Sequence, residues 1–144
     1  MKIVIANDHG AVELKFKLID WLSAQGHEVV NLGVDAEDRV DYPDQAGLAV
    51  REFEKGGYDF GIVCCGTGIG ISIAANKYKG IRCALIHDSY TALMAKEHNN
   101  ANFVAFGGRV EYAEPVEHIL DVFMKADFQG GRHATRVAKL DELC

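Results

Sequence analysis

The sequence predicts an α/β protein built on one doubly wound, parallel sheet of five strands. Three observations predict it. Five short runs are apolar on consecutive residues, as in strands buried on both faces. Amphipathic stretches of helical period lie between them. A regular alternation of strand and helix implies right-handed crossovers within a single parallel sheet.

The strand-like runs are residues 3–6, 28–32, 60–65, 83–86 and 103–106. In the first helical stretch, Ala11, Leu14, Leu18, Trp21 and Leu22 share one face while Glu13, Lys17 and Asp20 point elsewhere. Gly26 is placed to end that helix. Residues 44–55, 71–79, 89–97 and 114–125 continue the alternation, and a C-terminal helix is expected over residues 133–143. No internal repeat, low-complexity segment or linker interrupts the 144 residues, so they are expected to form one domain spanning 1–144.

Composition narrows the class. With 49% apolar residues the chain can build a sizeable core. A net charge of -6 argues against a general nucleic-acid or membrane-surface binder, although an acidic protein can still carry a local pocket for an anion. Cys64 and Cys65 are neighbours, Cys83 lies in an apolar run and Cys144 is the last residue, which is no disulfide framework. No CxxC pair or ligand-spaced Cys/His cluster suggests a metal. Met1-Lys2-Ile3-Val4-Ile5 leads straight into a strand without the pattern of a secretion signal, and no stretch is long enough to span a bilayer. Reduced thiols then predict a cytoplasmic protein.

Ligands of open α/β sheets bind beyond the carboxyl ends of the strands, near the switch in strand order. The loops expected there are Asn7-Asp8-His9-Gly10, residues 33–43, residues 66–70, His87-Asp88 and Gly107-Gly108-Arg109. The third of these follows Cys64-Cys65 and reads Gly66-Thr67-Gly68-Ile69-Gly70. Three glycines let the chain turn sharply and let a ligand approach. The following helix start offers free N–H groups and a positive dipole end to an anion. A thiol at Cys65 lies in the same field, so a base stands beside an oxyanion site, as enolisation requires. A buried cysteine is also often just a small apolar residue. A dinucleotide fingerprint fits poorly, because its third glycine arrives one residue early at Gly70, although Asp88 stands where a ribose-binding acid could lie. A non-catalytic nucleotide-binding domain therefore stays open as the rival class. A P-loop lacks its lysine after Gly70, and a cysteine phosphatase lacks an arginine before Arg82.

Asp8 and His9 could assist ring opening or hold a phosphate, or Asp8 could simply cap the following helix. His98, in Glu97-His98-Asn99-Asn100, is a possible general acid or base with Asn99 orienting hydroxyls, but both residue types are also favoured at a plain helix end. Arg132 and Arg136 lie four apart after Gly130-Gly131, on one helical face, where two guanidinium groups can clamp a phosphate and Arg109 could join them. The bland reading of that cluster is a solvated basic helix.

Taken together, Asp8-His9, Asp41-Tyr42-Pro43, the block from Cys65 through Gly66-Thr67-Gly68-Ile69-Gly70-Ile71-Ser72 to Lys77, His98-Asn99, Gly107-Gly108-Arg109 and Gly130-Gly131-Arg132-His133 resemble the ribose-5-phosphate isomerase B family, which also holds the galactose-6-phosphate isomerase subunits. The resemblance runs in order through nearly the whole chain. It implies a Rossmann-like domain that interconverts ribose 5-phosphate and ribulose 5-phosphate through a cis-enediolate, or else isomerises a six-carbon aldose phosphate such as allose 6-phosphate or galactose 6-phosphate. It implies Cys65 as the carbon-acid base, since the loop position where some relatives carry a glutamate is Ile69 here. It further implies the Gly66, Gly68 and Gly70 backbone with Thr67 around the enediolate, and His98 with Asp8 in ring opening. Tyr42 and Asn99 would contact sugar hydroxyls, and His9, Arg109, Arg132 and Arg136 the phosphate. No metal or organic cofactor is implied. The site is expected between two subunits of a homodimer or a dimer of dimers, with the segment around His98 and Asn99 donated by the neighbour.

Overall fold

In the computed structural model, which describes residues 1–36 and 38–143, five parallel strands form one sheet. Cys144 lies outside the described residues. The strands are β1 (Lys2–Asn7), β2 (Glu28–Asn31), β3 (Phe60–Cys65), β4 (Cys83–Leu85) and β5 (Phe103–Gly107). The helices are α1 (Val12–Ala24), α2 (Tyr42–Phe53), α3 (Ile69–Ala75), α4 (Ser89–Glu97), α5 (Val116–Lys125) and α6 (Arg132–Asp141), and a short 3-10 turn (His9–Ala11) precedes α1.

The order across the sheet is β2-β1-β3-β5-β4. The chain leaves β1 in one direction to β2 and returns past it to β3, so the switch in strand order falls between β1 and β3. A second excursion carries it from β3 out to the edge at β4 and back inward to β5. The inner strands β1, β3 and β5 are buried on nearly every residue. The expectation that all five runs are buried on both faces fails at the edges. In β2 two of the four residues are exposed, and Ala84 and Leu85 of β4 are only half-buried, because an edge strand has a neighbour on one side alone.

The two faces of the sheet carry separate cores. Ile3, Ile5, Ile62, Cys64, Val104 and Phe106 meet Leu18 and Leu22 of α1, Ala92 and Ala95 of α4, and Ile119, Leu120 and Phe123 of α5. Val4, Ala6, Val63, Cys65, Phe103 and Ala105 meet Ala46, Ala49 and Val50 of α2 and Ile71 and Ala75 of α3. The alternation of side chains along β3 thus sends Cys64 and Cys65 to opposite faces. The predicted elements all form, with shifted ends. The second helix begins at Tyr42 and the third at Ile69, each two residues early, and the third ends at Ala75.

Candidate active site

The turns after β1, β3 and β5 meet backbone to backbone at the carboxyl edge of the sheet. The Asp8 N–H donates to Cys64 O at 3.1 Å, the Gly108 N–H to Cys65 O at 2.8 Å and the Arg109 N–H to Gly66 O at 3.0 Å. Side chains are excluded from this junction: a Cβ on Gly10 would lie 2.9 Å from Gly66 N. Gly68 adopts φ +78°, and a Cβ there would stand 2.7 Å from Leu85 Cδ1. Only glycine therefore lets the β3 turn bring its N–H groups back over the strand end.

That turn folds around Cys65. Its side chain is 4% exposed, and Sγ accepts the Gly68 N–H at 3.2 Å. Thr67 is exposed, and its Oγ1 accepts the Ile69 N–H at 3.3 Å. The first hydrogen bond of α3 runs from the Ser72 N–H to Gly68 O, so the N–H groups of Gly70 and Ile71 precede the helical ladder. Cys64 differs sharply from its neighbour: it is fully buried, and burial pushes its thiol pKa far up. It is an inert core residue.

Asp8 and His9 extend from β1 beside this turn. Asp8 is 7% exposed and its carboxylate accepts the Gly10 N–H at 2.8 Å, so it does cap the short turn before α1. His9 Nδ1 accepts the Val40 N–H at 3.3 Å. Tyr42, at the first residue of α2, lays its ring against Gly70, where a Cβ would come within 2.7 Å of the ring. Arg109 is exposed beside Gly66. A recess of about 380 Å³ is lined by His9, Gly10, Glu13, Arg39, Gly108 and Arg109. Arg39 is a residue the motif reading passed over. Its signal was available, as a basic residue inside the 33–43 loop that the strand order places at the ligand end.

His98, Asn99, Arg132 and Arg136 are not in this cluster. They gather at the opposite, amino edge of the sheet, because α4 runs back from the carboxyl edge and ends there. The Asn102 carbonyl just beyond accepts the Gly61 N–H at the start of β3, and Arg82, just before β4, donates from Nε and Nη2 to Asn100 O at 3.1 Å each. Cys65 stands at the other end of β3, about 13 Å along the strand from Gly61 at a rise of about 3.3 Å per residue. The expectation that Arg109 joins Arg132 and Arg136 therefore fails within one chain. The cause is topological, since β5 delivers Arg109 to the carboxyl edge while the segment before α6 is tied to the end of α4, with the Gln129 N–H donating to Glu97 O at 3.0 Å.

At this second cluster the rings of His98 and His133 stack, with centroids 4.1 Å apart and planes 10° from parallel. His133 is 6% exposed, and burial, then the nearby His98, Arg132 and Arg136, hold its pKa below the ordinary 6.5. Asn100 takes φ +45°, a conformation asparagine tolerates, and Asn99 before it is exposed. Arg132 and Arg136 are exposed, and among the described residues neither has an acidic partner within ion-pair distance. Asp88 serves α4 instead of a ribose: its Oδ1 accepts the Thr91 N–H at 2.7 Å in a capping box. Among the described residues no group of three or more histidine, cysteine or acidic side chains is gathered as for a metal, and no helix is long and apolar enough to cross a membrane.

A buried cysteine under a glycine turn at the carboxyl edge of a doubly wound sheet, with His9 and Arg109 close by, is an arrangement that suits the class of sugar-phosphate isomerases. The comparisons agree. A ribose/galactose isomerase family model matches residues 3–140. The solved ribose-5-phosphate isomerase B of Clostridium thermocellum superposes with a TM-score of 0.95 at 49% identity, covering 99% of this chain and 97% of that one. Ribose-5-phosphate isomerase B of Escherichia coli is 40% identical over 136 residues, 94% of this chain and 91% of that protein. A galactose-6-phosphate isomerase subunit of Clostridium acetobutylicum is 40% identical over 144 residues, 99% of this chain and 83% of that protein. The chain belongs to the ribose/galactose isomerase family.

Proposed function

We propose that this protein interconverts ribose 5-phosphate and ribulose 5-phosphate, with Cys65 as the base. The observation that carries the reading is the Cys65 sulfur at the carboxyl end of β3, accepting the Gly68 N–H inside a glycine turn. The thiolate is the form of a cysteine able to take a proton from carbon. In the aldose-to-ketose direction the thiolate removes the C2 proton, and the electron pair moves through C1–C2 onto O1. N–H groups between Gly66 and Gly70 hold the developing oxyanion, with Thr67 beside it. The proton returns to C1 while the O2 proton passes to O1, which leaves a hydroxyl on C1 and the ketone at C2.

Ring opening precedes this step, with Asp8 and His98 moving the hydroxyl and ring-oxygen protons. Tyr42 and Asn99 contact the sugar hydroxyls, and His9, Arg109, Arg132 and Arg136 bind the phosphate. Because one chain holds these groups at opposite edges of the sheet, the complete site requires a second copy. A homodimer in which the amino-edge cluster of one subunit closes the carboxyl-edge cluster of the other supplies every group. The cytoplasm, where the pentose phosphate pathway operates and thiols stay reduced, is the fitting compartment.

The galactose-6-phosphate isomerase relative, as similar in identity as the Escherichia coli one, motivates the six-carbon alternative. Initial rates on ribose 5-phosphate, allose 6-phosphate and galactose 6-phosphate decide between them. The expected result is the highest kcat/KM on the pentose. A preference for a hexose phosphate moves the assignment to that substrate, and no turnover of any of the three overturns the isomerase reading.

A further inference from the structure

We propose that Lys15 and Asn7 are positioning residues for the reaction, a buried brace that fixes the loop after β2 and through it the Asp8, His9 and Tyr42 wall of the site. The kinetic half of this inference rests on the isomerase reading above.

Lys15 occupies the stripe that runs from Ala11, just before α1, through Leu18 and Leu22 of that helix, where the helical period calls for an apolar residue. It is fully buried. Its ammonium donates to Asp35 Oδ1 at 2.6 Å, Val34 O at 2.7 Å and Leu32 O at 3.2 Å, which uses all three protons. Burying a charge is costly, and its acidic partner, Asp35, is itself exposed to solvent. Stability alone is therefore a weak reason for lysine at this position.

What the lysine does hold is geometry. Val34 is gripped from both sides: its carbonyl accepts from Lys15, and its N–H donates to Asn7 Oδ1 at 3.2 Å. Asn7 is fully buried, and its Nδ2 donates onward to Asp8 O at 2.9 Å. Gly33, at φ +83°, presses against Asn7 so closely that a Cβ would lie 2.5 Å from Oδ1. One chain of hydrogen bonds thus runs from α1 through the turn to the end of β1. The same loop then meets the site again, where the Val40 N–H donates to His9 Nδ1, two residues before Tyr42 opens α2. A neutral His9 accepting at Nδ1 carries its proton on Nε2, so the loop also selects the tautomer.

The test is Lys15→Met, which keeps the stem and removes the ammonium. Two quantities are read: trypsin cleavage after the exposed Arg39 under native conditions, and KM and kcat on ribose 5-phosphate. Cleavage should accelerate and KM rise, each about tenfold, with a smaller fall in kcat. Asp35→Asn, at an exposed partner, should give the same pattern in smaller measure. A folded Lys15→Met protein with parental cleavage and parental KM overturns the proposal. Should Lys15→Met not fold, Asp35→Asn decides in the same way, and unchanged cleavage and KM overturn it. If the parent isomerises no sugar phosphate, the functional reading falls with the kinetic half of this one, and cleavage after Arg39 alone decides whether the brace exists.

Discussion

Cys64 and Cys65 are adjacent in the chain and chemically far apart. One rotation along β3 puts Cys64 in a dry core, where burial raises its pKa, and Cys65 under a glycine turn that donates an N–H to its sulfur. Cys65→Ala should lower kcat by several orders of magnitude with KM nearly unchanged, because the lost interaction belongs to the transition state. Cys64→Ala should keep parental kcat and lose about 1–2 kcal/mol of stability, read from urea unfolding. Turnover near the parental rate in folded Cys65→Ala would remove that residue from the mechanism. His133 gives a second prediction at this scale. Its pKa is lower folded than unfolded, so between the two values the unfolded chain binds more protons. The stability it contributes is present in full above the ordinary value of 6.5 and is lost as pH falls through the folded value. The melting temperature should drop on acidification below 6.5, and His133→Phe, which keeps a ring against His98, should flatten that part of the profile.

Among the elements, α6 presents two arginines on one exposed face while His133 and Val137 anchor the other. The glycines before it take φ +63° and +56°, turning the chain so that α6 starts beside the end of α4. If the arginines bind the substrate phosphate, each charge-assisted contact is worth about 1.5–3 kcal/mol. Arg136→Ala should then raise KM about ten- to a hundredfold with a smaller change in kcat. Inorganic phosphate should inhibit the parent competitively and the variant more weakly. Arg132→Lys should restore binding only in part, since lysine lacks the planar fork. Unchanged KM and unchanged phosphate inhibition in Arg136→Ala would leave this helix face as merely solvated.

For the whole molecule, the separation of the two clusters makes a sharp prediction. Cys65→Ala and His98→Asn proteins, each nearly inactive on the cyclic aldose, should recover activity when unfolded together and refolded as a mixture. In a mixed dimer one site receives both native residues and the other neither. Random pairing therefore restores about a quarter of the parental activity. No recovery, in a mixture shown to contain mixed dimers, would place the two residues in the same subunit's site or outside the mechanism.

The sequence by itself determined the fold class and the loops that meet at the carboxyl edge of the sheet. Consecutive apolar residues in 60–65 and 103–106 mark inner strands because burial on both faces leaves no position for a polar side chain. The glycine turn after Cys65 was legible because few sequences permit a backbone to approach that closely. The tertiary structure decided what depends on strand order and on chain direction at a distance. The return of α4 to the amino edge, with the segment before α6 tied to its end, separates His98, Arg132 and Arg136 from Cys65, while the β2-β1-β3-β5-β4 order sets which strands lie at the edges, and local periodicity carries no information about which distant segments meet. The weaker burial of β2 and β4 follows from the same order. Lys15 was invisible for a related reason: charged side chains usually mark the solvent face of a helix, and only the packed loop, with three oxygens converging on one nitrogen, makes an interior lysine affordable.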